Sequence, residues 1–563
     1  MNKMLFLQSM LLGLVILTVS GCKKEETDKN YTLLYNGTIY LDADRKADNL
    51  LLEGDRVAGF DVDEIKYPKA EMVDLKGAFA YPGFNDSHVH LVSVAVAMSV
   101  GVPLNGASTA AEIAAIVGEQ CNKLPQGVPA IAHGFVLENY EAWSLEDLAI
   151  IDGVTGDRPV LIADQLGHSY IVNSVAMTMS GLTGETPDPP GGKIIKQNGI
   201  PTGMLRETAG AIVGNIAIWP LIPDEMVKVP AAQFFNMWAA MGYTSVVELM
   251  GGPMGRILKP GLCRDLEAEN QLPLRVYYAH TFFSLDDIDS YQNDIVNTDL
   301  VRFIGLKLFT DGAAGNGDAW TSWANTNGGH GLNAIATDDS YGEQFNIFRI
   351  LEKSEELGLD MHYHTGGDLS IEAVLDAIEA VKQKNGVLNT RHTLYHLGFI
   401  TDDQINRMSQ LGNNIVAGVQ PSLHWEYSRE ITQYYYGSHA NGSYPYKKMK
   451  DAGVILAFST DFASTPPELC WPTVIMKVAL TGAGDPVANP PLTMRDLITG
   501  FTVGGFATAR EEKAGTLDIG NKADIVVFSK DLYSVPPEEL SKDNPKVLAT
   551  YVAGKIAYSS TAR

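Results

Sequence analysis

The chain has 563 residues, too long for one simple core, so one large domain with a smaller one appended is the expectation. Hydrophobic residues make up 45% and charged residues 19%, the balance of a soluble globular protein. Asp and Glu outnumber Lys and Arg by 67 to 42, a net charge of −25 with no basic cluster, which argues against nucleic acid or an anionic membrane surface as partner.

At the start of the chain, Lys3 precedes a mostly apolar run from Met4 to Val19, and Val19-Ser-Gly-Cys22 then sets small residues before a cysteine. The pattern resembles a bacterial lipoprotein signal over residues 1–22, in which Cys22 becomes the lipidated first residue of the mature chain. The apolar run is short for a full membrane span. Residues 23–30 (KKEETDKN) read as a polar tether. The expected location is the cell envelope, facing the periplasm from the outer membrane of a Gram-negative bacterium, with a lipid on Cys22 as the membrane contact. The other cysteines, Cys121, Cys263 and Cys470, are odd in number and lack metal-ligand spacing, so they read as buried apolar residues rather than a disulfide framework.

Residues 31–76 read as short strands (Tyr31 to Tyr40, Asn49 to Phe60), and residues 490–563 carry a similar set (Ala523 to Ser529, Val547 to Tyr558). Each set is too small for a core, and the two are expected to pair into one β-sandwich built from both chain ends. An apolar run (Val73, Leu75, Ala78, Phe79) reads as a strand leading into Tyr81-Pro-Gly-Phe-Asn-Asp-Ser-His88-Val-His90. Residues two apart on a strand share a face, so His88 and His90 are expected to project together. Seven further strand-like runs follow: Tyr243 to Glu248, Leu274 to Ala279, Phe303 to Leu308, Leu359 to His364, His392 to His396, Asn414 to Val419 and Val454 to Ser459. Ala231 to Met241, Phe345 to Leu357, Ser370 to Lys384 and Asp402 to Leu411 show helical spacing between them. Eightfold strand–helix alternation predicts an α/β fold, a (β/α)₈ TIM barrel over residues 77–489. A doubly wound open sheet is the rival, but no Gly-rich phosphate loop follows the first strand. Residues 92–242 are too long for a connection and form an expected insertion with structure of its own, whose loop Thr186-Pro-Asp-Pro-Pro-Gly-Gly192 could cover the barrel mouth.

Functional groups of such barrels sit at the C-terminal strand ends. His88 and His90 end the first strand, Lys307 the fourth, His362 and His364 the fifth and His396 the sixth, while Asp461 follows the eighth. Histidine nitrogens bind Zn²⁺ without excess negative charge, leaving it Lewis-acidic enough to bring the pKa of its water towards ~7. A neighbouring carboxylate, Asp461, can take that proton and pass it to a leaving amine. An ammonium repels a cation, so Lys307 serves as a ligand only after carbamylation by CO₂.

The segments PGFNDSHVHL, GLKLFTDG, HTGGD (from His364), RHTLYHLGFI (around His396), VQPS (Val419 to Ser422), FSTDF and the closing run Lys513 to Val527 together resemble the amidohydrolase superfamily. The resemblance is to its family 3 branch of N-substituted formamide deformylase-like, metal-dependent amidases. It implies His88, His90, His364, His396 and Asp461 as metal ligands, a carbamylated Lys307 bridging two ions, and Asp461 as proton shuttle. The implied cofactor is a divalent metal, Zn²⁺, at one or two ions per chain; a plain lysine paired with a carboxylate would leave a mononuclear site. The spacing of the His364 motif selects His364 over His362, which reads as a support, and Asp86 reads as a partner at the strand end. Gly167-His168…Asn173-Ser and Gly203-Met-Leu-Arg-Glu207 match insertion segments that lie near substrate in that branch, making His168 and Glu207 candidate substrate contacts together with Gln420 and His424. Gln165-Leu166 stands where the branch has an acidic residue, so specificity can differ. His133, His280, His330, His392 and His439 read as structural or surface residues. The implied reaction is hydrolysis of a non-peptide C–N bond in a small amide-type substrate. A lactonase, isomerase or decarboxylase on the same scaffold, or a catalytically dead lipid-anchored binding protein, are the alternatives.

Overall fold

Eight β-branched and aromatic-rich segments form one parallel sheet: β1 (Phe84–Val89), β2 (Tyr243–Met250), β3 (Arg275–Phe282), β4 (Val301–Phe309), β5 (Met361–Thr365), β6 (His392–His396), β7 (Ile415–Val419) and β8 (Ile455–Phe458). The computed structural model describes residues 30–135, 142–165, 167–257 and 259–561. The expected signal, most of the tether and Cys22 lie outside the described residues. Neighbours follow chain order from β1 to β8, and the ring nearly closes where Val89 bridges Phe462 in parallel. Asp461 N donates to His88 O at 2.9 Å and His90 N to Phe462 O at 2.8 Å across that seam. Most strand residues are buried, as expected of strands packed by side chains inside and helices outside.

The helices form for local reasons. Asp402–Leu411 starts with a reciprocal capping box between Thr401 and Gln404. Asp368–Asn385 carries Asp368 in its first turn and Lys382 and Lys384 in its last, complementing the helix dipole, and Gly386 ends it at φ 75°.

The lead-in to His88 differs from the sequence expectation. Val73 lies in an outer strand (Glu71–Asp74), and Phe79–Pro82 pairs antiparallel with Ile525–Phe528 instead of entering the barrel. Gly83 is the crossing point: a Cβ there would lie 2.1 Å from Thr244 Oγ1, so only glycine lets the chain pass β2 and start β1 at Phe84. His90 stands one residue beyond β1, at the start of the helix Leu91–Val100.

Two outer sheets lie beside the barrel. One holds four strands between residues 31 and 74; the other has six and takes Thr38–Tyr40, Lys46–Ala47 and Phe79–Pro82 from one chain end and Ile525–Phe528, Val547–Val552 and Lys555–Ser559 from the other. Leu34, Leu50, Leu52, Ala80, Ile525 and Tyr551 are buried together between them. Between β1 and β2 runs another six-stranded sheet, from Gly101–Pro103 to Ile200–Glu207, flanked by the helices Ala110–Lys123 and Leu145–Thr155. It has its own core, which includes Ile113, Val117, Phe135, Ile162 and Met204. It docks on the loop after β2, where Trp219 Nε1 donates to Met254 O at 2.8 Å and Arg256 N to Asn215 Oδ1 at 2.7 Å. Cys121, Cys263 and Cys470 are free and buried. Among the described residues no helix is long and apolar enough to cross a membrane.

Candidate metal centre

Asp86 and His88 both lie on β1 and are both buried, with a shift in the pairing to β2 between Asp86 and Val89. Asp86 accepts from Trp238 Nε1 (2.8 Å), Thr460 N (2.9 Å) and Thr460 Oγ1 (2.8 Å), which ties the loop carrying Asp461 to the first strand. Burial holds the Asp86 carboxyl up at about 7 against the downward pull of these donors. His90 is aimed by its other nitrogen: Nδ1 lies 2.9 Å from Leu249 O, a carbonyl that can only accept, so the ring hydrogen sits there and Nε2 is left for the centre. Next to Leu249, Glu248 accepts from Leu91 N (2.8 Å) and Val92 N (3.3 Å) and fixes the start of the following helix.

These constraints bring electron-rich atoms to one point. His90 Nε2 lies 3.2 Å from His88 Nε2, and Asp461 Oδ1 lies 3.3 Å from His88 Nε2 and 3.5 Å from His90 Nε2. Ligand atoms of His88, His396 and Asp461 all fall within 4.8 Å of one another. The His364 ring lies 4.5 Å from that of His396, and its buried Nε2 has no hydrogen-bond partner. Burial, and after it the neighbouring cationic groups, hold His88, His364 and His396 well below the usual imidazole range, so their nitrogens offer lone pairs. Asp461 and His396 both take left-handed backbone conformations, φ 53° and 73°, which non-glycine residues adopt at a cost and which cluster at functional sites. Neutral imidazoles, an orphaned nitrogen and a carboxylate crowded together are a donor set that fits a divalent transition metal.

Lys307 is buried beside this group, its amine 4.8 Å from the Tyr395 ring centre and 5.1 Å from that of Phe309, without a hydrogen-bond partner. Burial pushes the amine down to about 7, against the pull of Asp461. His362 lies deeper in the barrel. Its Nδ1 is 3.0 Å from Tyr395 OH, which itself donates to Ser87 O at 2.9 Å.

From the insertion, His168 Nδ1 meets Glu207 Oε2 at 2.7 Å, and the His168 ring lies 5.9 Å from that of His364. Burial alone would lower the His168 pKa, but Glu207 and Asp164 beside it hold it up at about 9. His424 stacks on Tyr444 with ring centres 3.9 Å apart and lies 5.5 Å from the His396 ring. Gln420 is turned to Ser459, donating at 2.8 Å, and bridges β7 to the end of β8.

A cavity of about 50 Å³ is bounded by His168, His364, His396, His424, Tyr444 and Asp461. A second, of about 490 Å³ and mostly apolar, is bounded by His90, His168, Met98, Trp219, Met254 and Phe462, with His133 also on its wall. Sequence reading passed over Glu248, Tyr395 and the Trp219–Met254 wall. For Glu248 the signal was present, since a carboxylate closing a strand with no exposed face needs buried donors.

The sequence profile of the amidohydrolase family matches residues 71–558. This chain belongs to the amidohydrolase family. The amidohydrolase is 26% identical over 541 residues to an N-substituted formamide deformylase of Arthrobacter pascens, covering 92% of this chain and 95% of that one. It is 25% identical over 513 residues to a putative amidohydrolase, YtcJ, of Bacillus subtilis, covering 88% and 92%. Among solved structures, its fold resembles that of an uncharacterized metal-dependent hydrolase from Pyrococcus horikoshii, with a TM-score of 0.68 at 21% identity over 91% of this chain and all of the other. A mutant atrazine chlorohydrolase from Arthrobacter aurescens, complexed with zinc and atraton, superposes with a TM-score of 0.51 at 12% identity, over 94% and 97%.

Proposed function

We propose that this amidohydrolase hydrolyses a non-peptide amide-type C–N bond of a small molecule, with a divalent metal, Zn²⁺ in the first instance, held by His88, His90, His364, His396 and Asp461. The observation that carries this reading is the convergence of His88, His396 and Asp461 within 4.8 Å at the end of the barrel. Family membership and the deformylase relative support the bond type. A bound ion would supply Lewis acidity, polarising a carbonyl and bringing the pKa of a water towards ~7. Asp461 is the residue to move the proton, accepting it from water and delivering it to the departing nitrogen. Its carboxylate stands at 3.3 Å and 3.5 Å from two of the imidazoles, on a loop fixed by Asp86 and by its own backbone bond to His88.

Lys307 is read as carbamylated: its nitrogen attacks CO₂, loses a proton and becomes a carboxylate-bearing ligand. An ammonium at that position would be buried without an acceptor, whereas a carbamate there would be compensated by a bound cation. The two outer sheets are read as one small β-sandwich closed by both chain ends, and residues 92–242 as an insertion that walls the substrate cavity. Residues 1–22 are read as a lipoprotein signal placing the enzyme on the periplasmic side of the outer membrane through Cys22. The test of the activity is a screen of N-acyl, N-formyl and cyclic amides against Zn²⁺- or Mn²⁺-loaded protein lacking residues 1–22. A protein that binds no divalent ion and is activated by none would sink the reading.

A further inference from the structure

We propose that His168 donates a hydrogen bond from Nε2 to the substrate's carbonyl oxygen as that oxygen gains negative charge, and that Glu207 is the positioning residue that holds it there. The inference rests on the hydrolytic reading above and adds a protein donor on the carbonyl side, opposite in role to Asp461.

Placement is the first observation. His168 bounds both the small cavity with His364, His396 and Asp461 and the larger cavity with His90, Trp219 and Phe462. His168 and Ser464 line both, so a substrate with its reacting carbonyl over the proposed metal ligands and its bulk in the larger cavity would lie beside His168. Orientation is the second. A carboxylate accepts only, so the 2.7 Å contact with Glu207 puts a hydrogen on Nδ1 and leaves Nε2 as the nitrogen available to a ligand.

The construction around Glu207 is the third. Its Oε1 accepts from Ala313 N at 3.1 Å, on the loop after β4, and its backbone N donates to His168 O at 2.8 Å. It is buried and strained at φ 48°. Gly312 makes room for it, since a Cβ there would lie 3.1 Å from Glu207 Oε1 and 2.6 Å from Asp318 Cβ. Asp164 Oδ1 accepts from His168 N at 2.9 Å, so the ring is fixed from the insertion and from the barrel at once. The charges nearby favour a cationic ring: Glu207 and Asp164 act on it directly, while the guanidinium of Arg206 is paired with Asp318. A fixed donor at a developing oxyanion is worth about 10²–10³ in kcat.

The test uses Zn²⁺-loaded protein lacking residues 1–22, two chromogenic probes and one binding probe. His168→Ala is expected to lower kcat on both p-nitroacetanilide and p-nitrophenyl acetate by about 10²-fold, with KM little changed and metal content intact. His168→Gln, which keeps an N–H donor, is expected to recover part of the loss. Glu207→Ala is expected to cost less than His168→Ala, and the double variant no more than His168→Ala alone, whereas a merely structural Glu207 would add its own loss. By calorimetry, methylphosphonate, a tetrahedral anion, is expected to bind His168→Ala about 10-fold more weakly than wild type. A wild type inactive on every amide class overturns the hydrolytic reading. An active wild type that His168→Ala leaves unchanged, a loss on the anilide but not on the ester, or equal methylphosphonate affinities each overturn the His168 assignment.

Discussion

Asp86 and Thr460 lock the first barrel strand to the last: one carboxylate oxygen accepts from the Thr460 backbone at 2.9 Å and the other from its hydroxyl at 2.8 Å. The neighbouring residue is Asp461, so the position of the proposed proton shuttle is set from across the seam of the barrel. Asp86→Ala would leave Trp238 Nε1 and Thr460 N buried without an acceptor. The expected outcome is a loss of about 3 kcal/mol of stability together with weakened metal binding, read by thermal melting and metal analysis. A variant that melts like wild type and keeps its metal would show that the seam holds without this tie.

Asp461→Asn separates binding from proton transfer. The amide oxygen can still face a cation, but it cannot accept the water's proton. Metal content is expected to stay within a factor of two of wild type while kcat on the best amide from the screen falls by about 10²–10⁴-fold. Full turnover in this variant would remove the assigned role.

His280 gives a pH signature outside the proposed metal ligands. It sits on β3 between Tyr278 and Phe303, with both ring nitrogens buried and unpartnered. Burial, then Arg256, pushes it down to about 4 from 6.5. Because its folded pKa is depressed, the unfolded chain takes up a proton first as pH falls, so its contribution to stability is present above about 6.5 and is lost down to about 4. His280→Leu is expected to flatten the acid limb of stability over that window by up to roughly 3 kcal/mol relative to wild type, measured by denaturant unfolding at stepped pH. Parallel acid limbs for the two proteins would contradict it.

Strands β2 to β8 were legible within three residues of their ends because buried parallel strands are short, β-branched and separated by helices with capping signals. The lead-in to β1 was not. Val73 and Phe79 have the composition of a barrel strand, and only their pairing, Val73 with Leu34 and Phe79 with Phe528 from the opposite chain end, assigns them to outer sheets. Tyr31 to Tyr40 reads as one strand but divides at Asn36, φ 55°, into strands of different sheets. At the site, the positions of His88, His364, His396 and Asp461 at one barrel end followed from strand period and order. The grips on them did not, since Glu248 at the backbone after His90 and Tyr395 between His362 and Ser87 depend on register between strands distant in sequence.

Lys307 tests whether the centre holds one ion or two. If its amine carries CO₂, intact-protein mass spectrometry under native conditions is expected to show one carbamate per chain, lost on acidification. Lys307→Ala is then expected to lower metal content from two ions to one and kcat by at least about 10-fold. Unchanged stoichiometry and no carbamate would leave Lys307 a buried neutral amine beside a mononuclear site.

Cys22 carries the prediction about location. The eight residues between it and the first strand residue, Tyr31, are polar and charged, so they give the chain little apolar surface with which to hold a membrane by themselves. One lipid chain anchors only marginally, whereas the multiple acyl chains of a lipoprotein anchor bind stably, because each buried CH₂ contributes about 0.8 kcal/mol. Expressed from its full-length sequence in a Gram-negative host, the protein is expected to fractionate with the outer membrane and to incorporate labelled palmitate. Cys22→Ser is expected to abolish the label and release the protein from the membrane fraction without changing its specific activity. Persistent membrane association of the unlabelled variant would point to an anchor other than the lipid.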